Sequence, residues 1–384
     1  MNQTPQNVNT LKKSNRAAIL ECVRRQLISR VDISRKTGLT KSAVTMLTNE
    51  MIAEGILYER SLSLRGKSMG RTSVLLDIVS DYAYAIGVAL HRRHIRVCVT
   101  DLRMNQLARK EQLTETFSSP DEAIFWIADA IRKVLESQKI PMEKCVGIGI
   151  SSPGPLDYAN GLILNPPHFP LFEKYPVIEK LSAMFPCPVC LENNSVSLAI
   201  ADDYLRCEPL KNSLFIVALD GIGSALMQEG KVFRGAKGFA GELGHISIDP
   251  QGPVCSCGNH GCLEHYATLK AMKKQFGFED YTRIADGAAE NDPRCTEIMD
   301  ALARYFGEAL VSCVNLFDLD SIVLFGEYGY RSEELTGRIE AFLAEHSMIC
   351  RAHPVSVIPA RLSADAMDTA SAIAALNGFF TQGP

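Results

Sequence analysis

The chain carries Gly241-Glu-Leu-Gly-His245 and, after nine intervening residues, Cys255-Ser-Cys257-Gly-Asn-His-Gly-Cys262-Leu-Glu264. One histidine and three cysteines this close together can close a tetrahedron around zinc, because imidazole and thiolates suit a borderline-soft ion. Four protein ligands leave no open coordination position. The spacing therefore predicts a structural metal held by His245, Cys255, Cys257 and Cys262, and not a hydrolytic one. The alternative is that the cysteines are small buried apolar residues; Gly258, Gly261 and the upstream histidine favour the metal. Two carboxylates, Glu242 and Glu264, bracket the cluster. A knot that fixes two carboxylates and a histidine in one place is suited to presenting polar groups to a hydroxylated ligand.

Further out, Phe233-Arg-Gly-Ala-Lys-Gly-Phe-Ala-Gly leads into this stretch, Gly221-Ile-Gly223 lies upstream, and Gly147-Ile-Gly149 runs into Ser152-Pro-Gly154-Pro, followed by Glu192-Asn193. Together these pieces and the His/Cys spacing resemble the ROK family, which groups sugar repressors, open reading frames and sugar kinases. The resemblance covers nearly the whole chain. It implies an actin-like, ribonuclease H-like α/β fold in two lobes with a ligand in the cleft between them. It also implies a sugar site built from Asn193, Asn194, Glu242, His245 and Glu264. His245 would serve twice, with one ring nitrogen on zinc and the ring edge near the sugar.

Phosphoryl transfer needs phosphate-binding loops, usually a divalent metal, and a group that takes or positions the attacking hydroxyl. Kinases of the family carry an Asp-x-Gly-Gly-Thr loop on the first hairpin, and the matching turn here is Val88-Ala-Leu-His-Arg-Arg-His94. In the second phosphate loop Asp220 stands where a threonine is usual, and Ala225 replaces a glycine. Gly326-Glu327 replaces a Gly-Gly pair near the adenosine pocket, and Asn194 occupies the position of the catalytic aspartate. An amide can donate to and accept from a sugar hydroxyl but cannot take its proton at neutral pH. The expectation is a protein that binds sugar, has no catalytic residue and is not an enzyme. Asn165-Pro-Pro-His168-Phe169 departs from the family's Asn-x-x-x-x-Trp-like stretch, which leaves open the hydroxyls that are read.

A chain of 384 residues with 46% hydrophobic content can bury a large core and form more than one domain. No run of about eighteen apolar residues occurs, and the polar start Met1-Asn-Gln-Thr-Pro-Gln-Asn lacks the segments of a secretion signal. Cytoplasmic localisation without membrane insertion is expected. The twelve cysteines then read as reduced thiols plus the metal site, not as a disulfide framework. Net charge is −4, yet residues 1–76 hold thirteen Lys and Arg against five Asp and Glu, a balance of +8 that leaves −12 for the remainder. A basic head on an acidic body points to a polyanion partner for the head alone.

Residues 14–54 read as three helices. Ile19, Val23 and Leu27 recur at helical spacing, Ser29-Arg-Val-Asp32 offers a capping-box-like start for a second helix ending at Gly38, and Thr40 can cap a third with Val44, Leu47 and Met51 inward. A short helix, a glycine turn and a longer helix form the helix-turn-helix pattern, whose second helix enters the major groove. Lys41, Ser42, Ala43, Thr45 and Met46 are its outward residues; the small groups suit base edges and Lys41 suits phosphate. Residues 56–76 follow as a hairpin wing with Arg60, Arg65, Lys67 and Arg71 around Gly66 and Gly70.

This gives a winged helix-turn-helix domain at 1–80 and a ROK sugar-sensing domain at 81–384. In the latter, strands are expected at 84–90, 95–101, 146–150, 214–219 and 322–325, with helices at 121–138 and about 296–316. No internal repeat is visible. The whole reads as a repressor that binds a double-stranded DNA operator as a homodimer or higher oligomer and takes a sugar as effector. Two rivals stay open: an active sugar kinase with a regulatory head, and a regulator that reads a sugar transporter by protein contact. The sugar, the operator and the sign of the response are open as well.

Overall fold

The computed structural model describes residues 8–61, 74–167, 169–363 and 366–382. Arg65, Lys67 and Arg71 of the expected wing, and His168, lie outside the described residues. The chain forms two units, one made of residues 1–197 and 367–384 and the other of 198–366. The boundary read near residue 80 falls inside the first of these.

The first unit opens with three helices, α1 (Val8–Arg25), α2 (Arg30–Thr37) and α3 (Lys41–Ala53). Ser29 caps α2 by accepting from the Asp32 amide, and Gly38 ends it in the left-handed conformation at φ 72°. Thr40 caps α3 by accepting from the Ala43 amide, while Val44, Leu47 and Met51 are buried. The first helix differs from its reading: it stops at Arg25, so Leu27 lies beyond it, and Ile28 is instead buried in a β-bridge to Leu76. Antiparallel strands β1 (Leu57–Ser61) and β2 (Val74–Ile78) form the wing.

Next come β3 (Tyr84–Leu90), β4 (His94–Asp101), β5 (Gln106–Leu113), α4 (Pro120–Ser137), β6 (Cys145–Ser152), the small antiparallel pair β7 (Leu156–Asp157) and β8 (Leu162–Ile163), α5 (Val177–Ser182), β9 (Val189–Asn193) and α6 (Asn194–Tyr204). The sheet runs in the order β5-β4-β3-β6-β9, antiparallel across the first three strands and parallel from β3 to β6 to β9. Ser119 and Pro120 start α4, whose Ile124, Ile127, Ile131 and Val134 pack on Ile86, Val88, Val97 and Val99 of the sheet.

The second unit has strands β10 (Ser213–Ala218), β11 (Ile222–Gln228), β12 (Lys231–Val232), β13 (Ser321–Gly326) and β14 (Ser356–Pro359). Between β12 and β13 lie α7 (Glu264–Ala267), α8 (Leu269–Phe276), α9 (Tyr281–Ala289) and α10 (Pro293–Phe317); α11 (Ser332–His346) and α12 (Met348–Ala352) precede β14. The order is β12-β11-β10-β13-β14, again antiparallel then parallel. Each unit therefore repeats one topology, three antiparallel strands followed by two parallel crossovers, as expected of the actin-like fold. Phe306, Leu310 and Val314 of α10 pack with Ile216, Ile322 and Leu324.

The chain then returns to the first unit through α13 (Met367–Ser371) and α14 (Ile373–Gln382), which lie against β3, β6 and α1. No helix among the described residues is long and apolar enough to cross a membrane.

Candidate functional site

The loop after β12 brings His245, Cys255, Cys257 and Cys262 together, with all four ligand atoms within 4.8 Å of one another. Gly244 makes this possible: a side chain there would meet the Ile222 carbonyl of β11 at 2.2 Å, so only glycine lets the loop lie on the strand. Pairs of backbone bonds then fold the cysteine loop, Cys255 N to Asn259 O at 2.8 Å and Ile248 N to Gly261 O at 2.9 Å. Cys257 Sγ lies 3.6 Å from Cys262 Sγ, and Cys255 Sγ lies 3.6 Å from His245 Nδ1. A tetrahedron with Zn–S bonds of about 2.3 Å has edges of about 3.8 Å, so these two pairs are close to the spacing zinc requires, within a set of donors that spans at most 4.8 Å.

Burial pushes the Cys262 thiol up to about 12 and raises that of Cys255, whereas the Asn259 backbone amide lowers that of Cys257. A cation entering the cluster would displace thiol protons and take their place. The site's outer supports were not legible in the sequence: Asn259 Nδ2 donates to His245 O at 3.4 Å and Tyr266 Oη donates to Asp249 Oδ2 at 3.0 Å. Their spacing carries no pattern.

Glu264 opens α7 with Oε1 3.4 Å from Cys255 Sγ and 3.7 Å from His245 Nδ1. Glu242 lies just before the short 3-10 turn Leu243–His245. Its carboxyl is raised above the ordinary range, first by the surrounding protein and further by Glu264, with His245 opposing. Glu242, His245 and Glu264 thus form one polar group beside the three cysteines.

In the first unit, Asn193 ends β9 and Asn194 begins α6. Asn193 Oδ1 accepts from the Ser195 amide at 2.8 Å, and buried Glu192 is held by Tyr158 Oη at 2.9 Å. Asn194 Oδ1 is buried and, among the described residues, has no hydrogen-bond donor.

On the head, Lys41, Ser42, Thr45 and Met46 are exposed along α3 and Ala43 is half-buried. A residue that the sequence did not single out holds this surface in place. Arg30 donates from Nε to Thr48 Oγ1 and from Nη2 to Asn49 Oδ1, each at 2.9 Å, and pairs with Glu59 of β1 at 2.8 Å. One guanidinium thereby ties α2 to α3 and to the wing.

A winged helix-turn-helix thus precedes an α/β body of two units that carries a His/Cys₃ cluster beside two carboxylates. The chain belongs to the ROK family, whose pattern matches residues 85–376. It is 26% identical to the xylose repressor of Caldicellulosiruptor bescii, over 93% of this chain and 94% of that one. It is 27% identical to the DNA-binding transcriptional dual regulator NagC of Escherichia coli, over 87% and 86%. Among solved structures, a ROK family transcriptional regulator described as a homologue of E. coli MLC superposes with a TM-score of 0.77 at 23% identity, covering 97% of this chain and 98% of its own.

Proposed function

We propose that this protein is a cytoplasmic transcriptional regulator, a repressor of carbohydrate-utilisation genes, in which a head at 1–80 binds double-stranded operator DNA and a ROK domain at 81–384 binds a monosaccharide or sugar derivative without phosphorylating it. The observation that carries the reading is Asn194. It stands where the family's kinases have their catalytic aspartate, and its buried Oδ1 has no donor among the described residues. A buried acceptor without a partner costs on the order of 1–3 kcal/mol, which a sugar hydroxyl would recover. The same amide cannot take that hydroxyl's proton. Binding is favoured and transfer is not.

Glu242, His245 and Glu264 supply further sugar contacts in this reading, with Asn193 beside Asn194. Zinc on His245, Cys255, Cys257 and Cys262 supplies no chemistry; it fixes His245 and the loop that carries Glu242 and Glu264. Lys41, Ser42, Ala43, Thr45 and Met46, with Arg65, Lys67 and Arg71 of the wing, contact DNA. A homodimer or higher oligomer presents two heads to an operator with two half-sites. Sugar and DNA are then linked through one equilibrium, so whatever factor the sugar imposes on operator affinity, the operator imposes on sugar affinity.

The relatives' names support a repressor with a sugar effector, and they disagree on the sugar. A thermal-shift screen against a panel of monosaccharides and their phosphates, followed by a radiolabelled phosphate-transfer assay with whichever compound stabilises the protein, tests the reading. Stabilisation without turnover is expected. Turnover at ordinary kinase rates would establish a kinase with a regulatory head.

A further inference from the structure

Helix α3 carries Lys41, Ser42, Thr45, Met46 and Asn49 on its exposed side and Val44, Leu47, Thr48 and Met51 on its buried one. Asn49 stands about two helical turns beyond Ser42, so it continues the stripe that Ser42, Thr45 and Met46 begin. The apolar burial beneath the helix is not directional. Setting this stripe against the wing takes bonds that are.

Arg30 provides them. It is the first residue of α2, directly after the Ser29 cap. Its Nε donates to Oγ1 of buried Thr48 and its Nη2 to Asn49 Oδ1, each at 2.9 Å, while Nη1 meets Glu59 Oε1 of β1 at 2.8 Å. Every nitrogen of the group is thus engaged, each on a different residue, and the side chain is only 21% exposed. Although the head is basic, this cation is committed to the fold itself. The same contact orients Asn49. A guanidinium only donates, so the atom of the amide that faces it must be the oxygen, and Nδ2, a donor, is the end left for a ligand.

We propose that Arg30 is a positioning residue of operator recognition, and that Asn49, whose amide it orients, is a further residue of α3 that meets a base edge, as a donor alone. This rests on the DNA-binding reading of the head given above. In the major groove guanine shows the acceptors O6 and N7 and thymine shows O4, whereas the two-bond pairing of asparagine with adenine needs Oδ1 to accept from N6. With Oδ1 held by Arg30, that pairing is closed. Lysine at position 30 would keep the charge but offers a single nitrogen, which cannot span acceptors on both α3 and β1.

Duplexes selected from a random library by the unmodified full chain provide the probe. The preferred duplex and a random-sequence duplex are then titrated by fluorescence anisotropy over a range of salt. Arg30→Ala should lower the ratio of the two affinities on the order of fivefold to a hundredfold, the range for one misread base pair, without changing the salt slope. Arg30→Lys should behave in the same way. Asn49→Ala should lose preference at one base pair, where the unmodified chain favours guanine or thymine over adenine, and Arg30→Ala should lose it at that same pair. Melting of each variant reports whether the head still folds; should Arg30→Ala unfold it, Asn49→Ala and the base it reads decide. A salt slope reduced by about one, with both duplexes weakened alike, would make Arg30 a phosphate contact and overturn the proposal. So would an unchanged ratio in Arg30→Ala, a ratio restored by Arg30→Lys, unchanged selection by Asn49→Ala, or an adenine preference that depends on Asn49. Enrichment of no sequence by the unmodified chain would overturn the DNA-binding reading as well.

Discussion

Arg103, in the turn after β4, forms an ion pair with Asp77 at the end of the wing and also donates from Nη1 to the Arg24 carbonyl of α1 at 3.2 Å. Asp77 is buried and accepts in addition from Tyr58 Oη at 3.0 Å and from the Ile78 amide at 2.8 Å. The guanidinium of Arg24 in turn lies 5.8 Å from the ring centre of Phe380 on α14. One side chain of the sheet therefore touches both the wing and the last turn of α1.

Replacing Arg103 with Ala should loosen the head without unfolding the sheet. Asp77 would keep two donors and its longer pairing with Arg60 at 3.9 Å but lose its nearest counter-charge, a cost of about 1–2 kcal/mol after allowing for the partial exposure of Arg103. Hydrogen exchange should quicken in α1 and β2 and stay unchanged in β3 and β6. Uniform loss of protection across the unit would mean that the contact is not local.

The metal is expected at one per chain and tightly held. Cys257→Ser removes a ligand at the exposed corner of the cluster, so it should lower both metal content after dialysis and melting temperature. Chelation of the unmodified protein should do the same and should also weaken the best compound from the sugar panel, because His245 is shared. A metal-free chain that melts unchanged would show that the cysteines are only packed thiols.

Operator binding should reside in the head. Lys41→Ala should weaken binding across sequences and reduce the slope of log affinity against log salt by about one, as for one lost phosphate contact. Met46→Ala should instead change sequence preference if α3 enters the groove as proposed, since Met46 is exposed on it and can meet a thymine methyl. Selection from a random duplex library distinguishes the two; identical selected sequences would remove Met46 from the readout.

Acid should destabilise the fold in two stages. His91 is depressed from 6.5 to about 4 by burial and the neighbouring positive charges, so the folded state favours the neutral ring; its contribution is complete above 6.5 and is lost as pH falls towards 4. Glu54 is lowered through its hydrogen bond with Arg16, and Glu21 is lowered by Arg24 and Arg25 against its own burial. Their contributions are present above 4.5 and disappear as pH falls through their depressed values. Melting temperature followed down the pH scale should show both declines, and His91→Gln should remove the first alone.

The gathering of His245 with the three cysteines, the helices of the head and the main strands were legible because each leaves a local signature: residue spacing, Ser29 and Thr40 as caps, and unbroken apolar runs such as 84–90. Strand β5 was not, because Gln106–Leu113 is a largely exposed edge whose Arg109, Lys110 and Glu111 interrupt any alternation. The duplicated topology was equally hidden. It lies in strand order and direction, which β3 and β10 share without sharing sequence. Arg30 escaped notice for a related reason: its partners, Asn49 and Glu59, are brought near only by the fold.

The return of α13 and α14 to the first unit bears on how the protein is made. Residues 198–366 are one continuous stretch, whereas the unit before them is finished only by residues 367–382. Gly149 on β6 shows how closely the ends must meet, since a side chain there would lie 2.2 Å from the Ser371 carbonyl. During synthesis the later unit can close while the earlier one still waits for its final helices. Helix α14 also covers the inner side of α1, so the head gains its seat last. A nascent or truncated chain that ends before residue 367 would carry α1, α2 and α3 without the helix against which α1 packs, and the last residues to be made become those that seat the first.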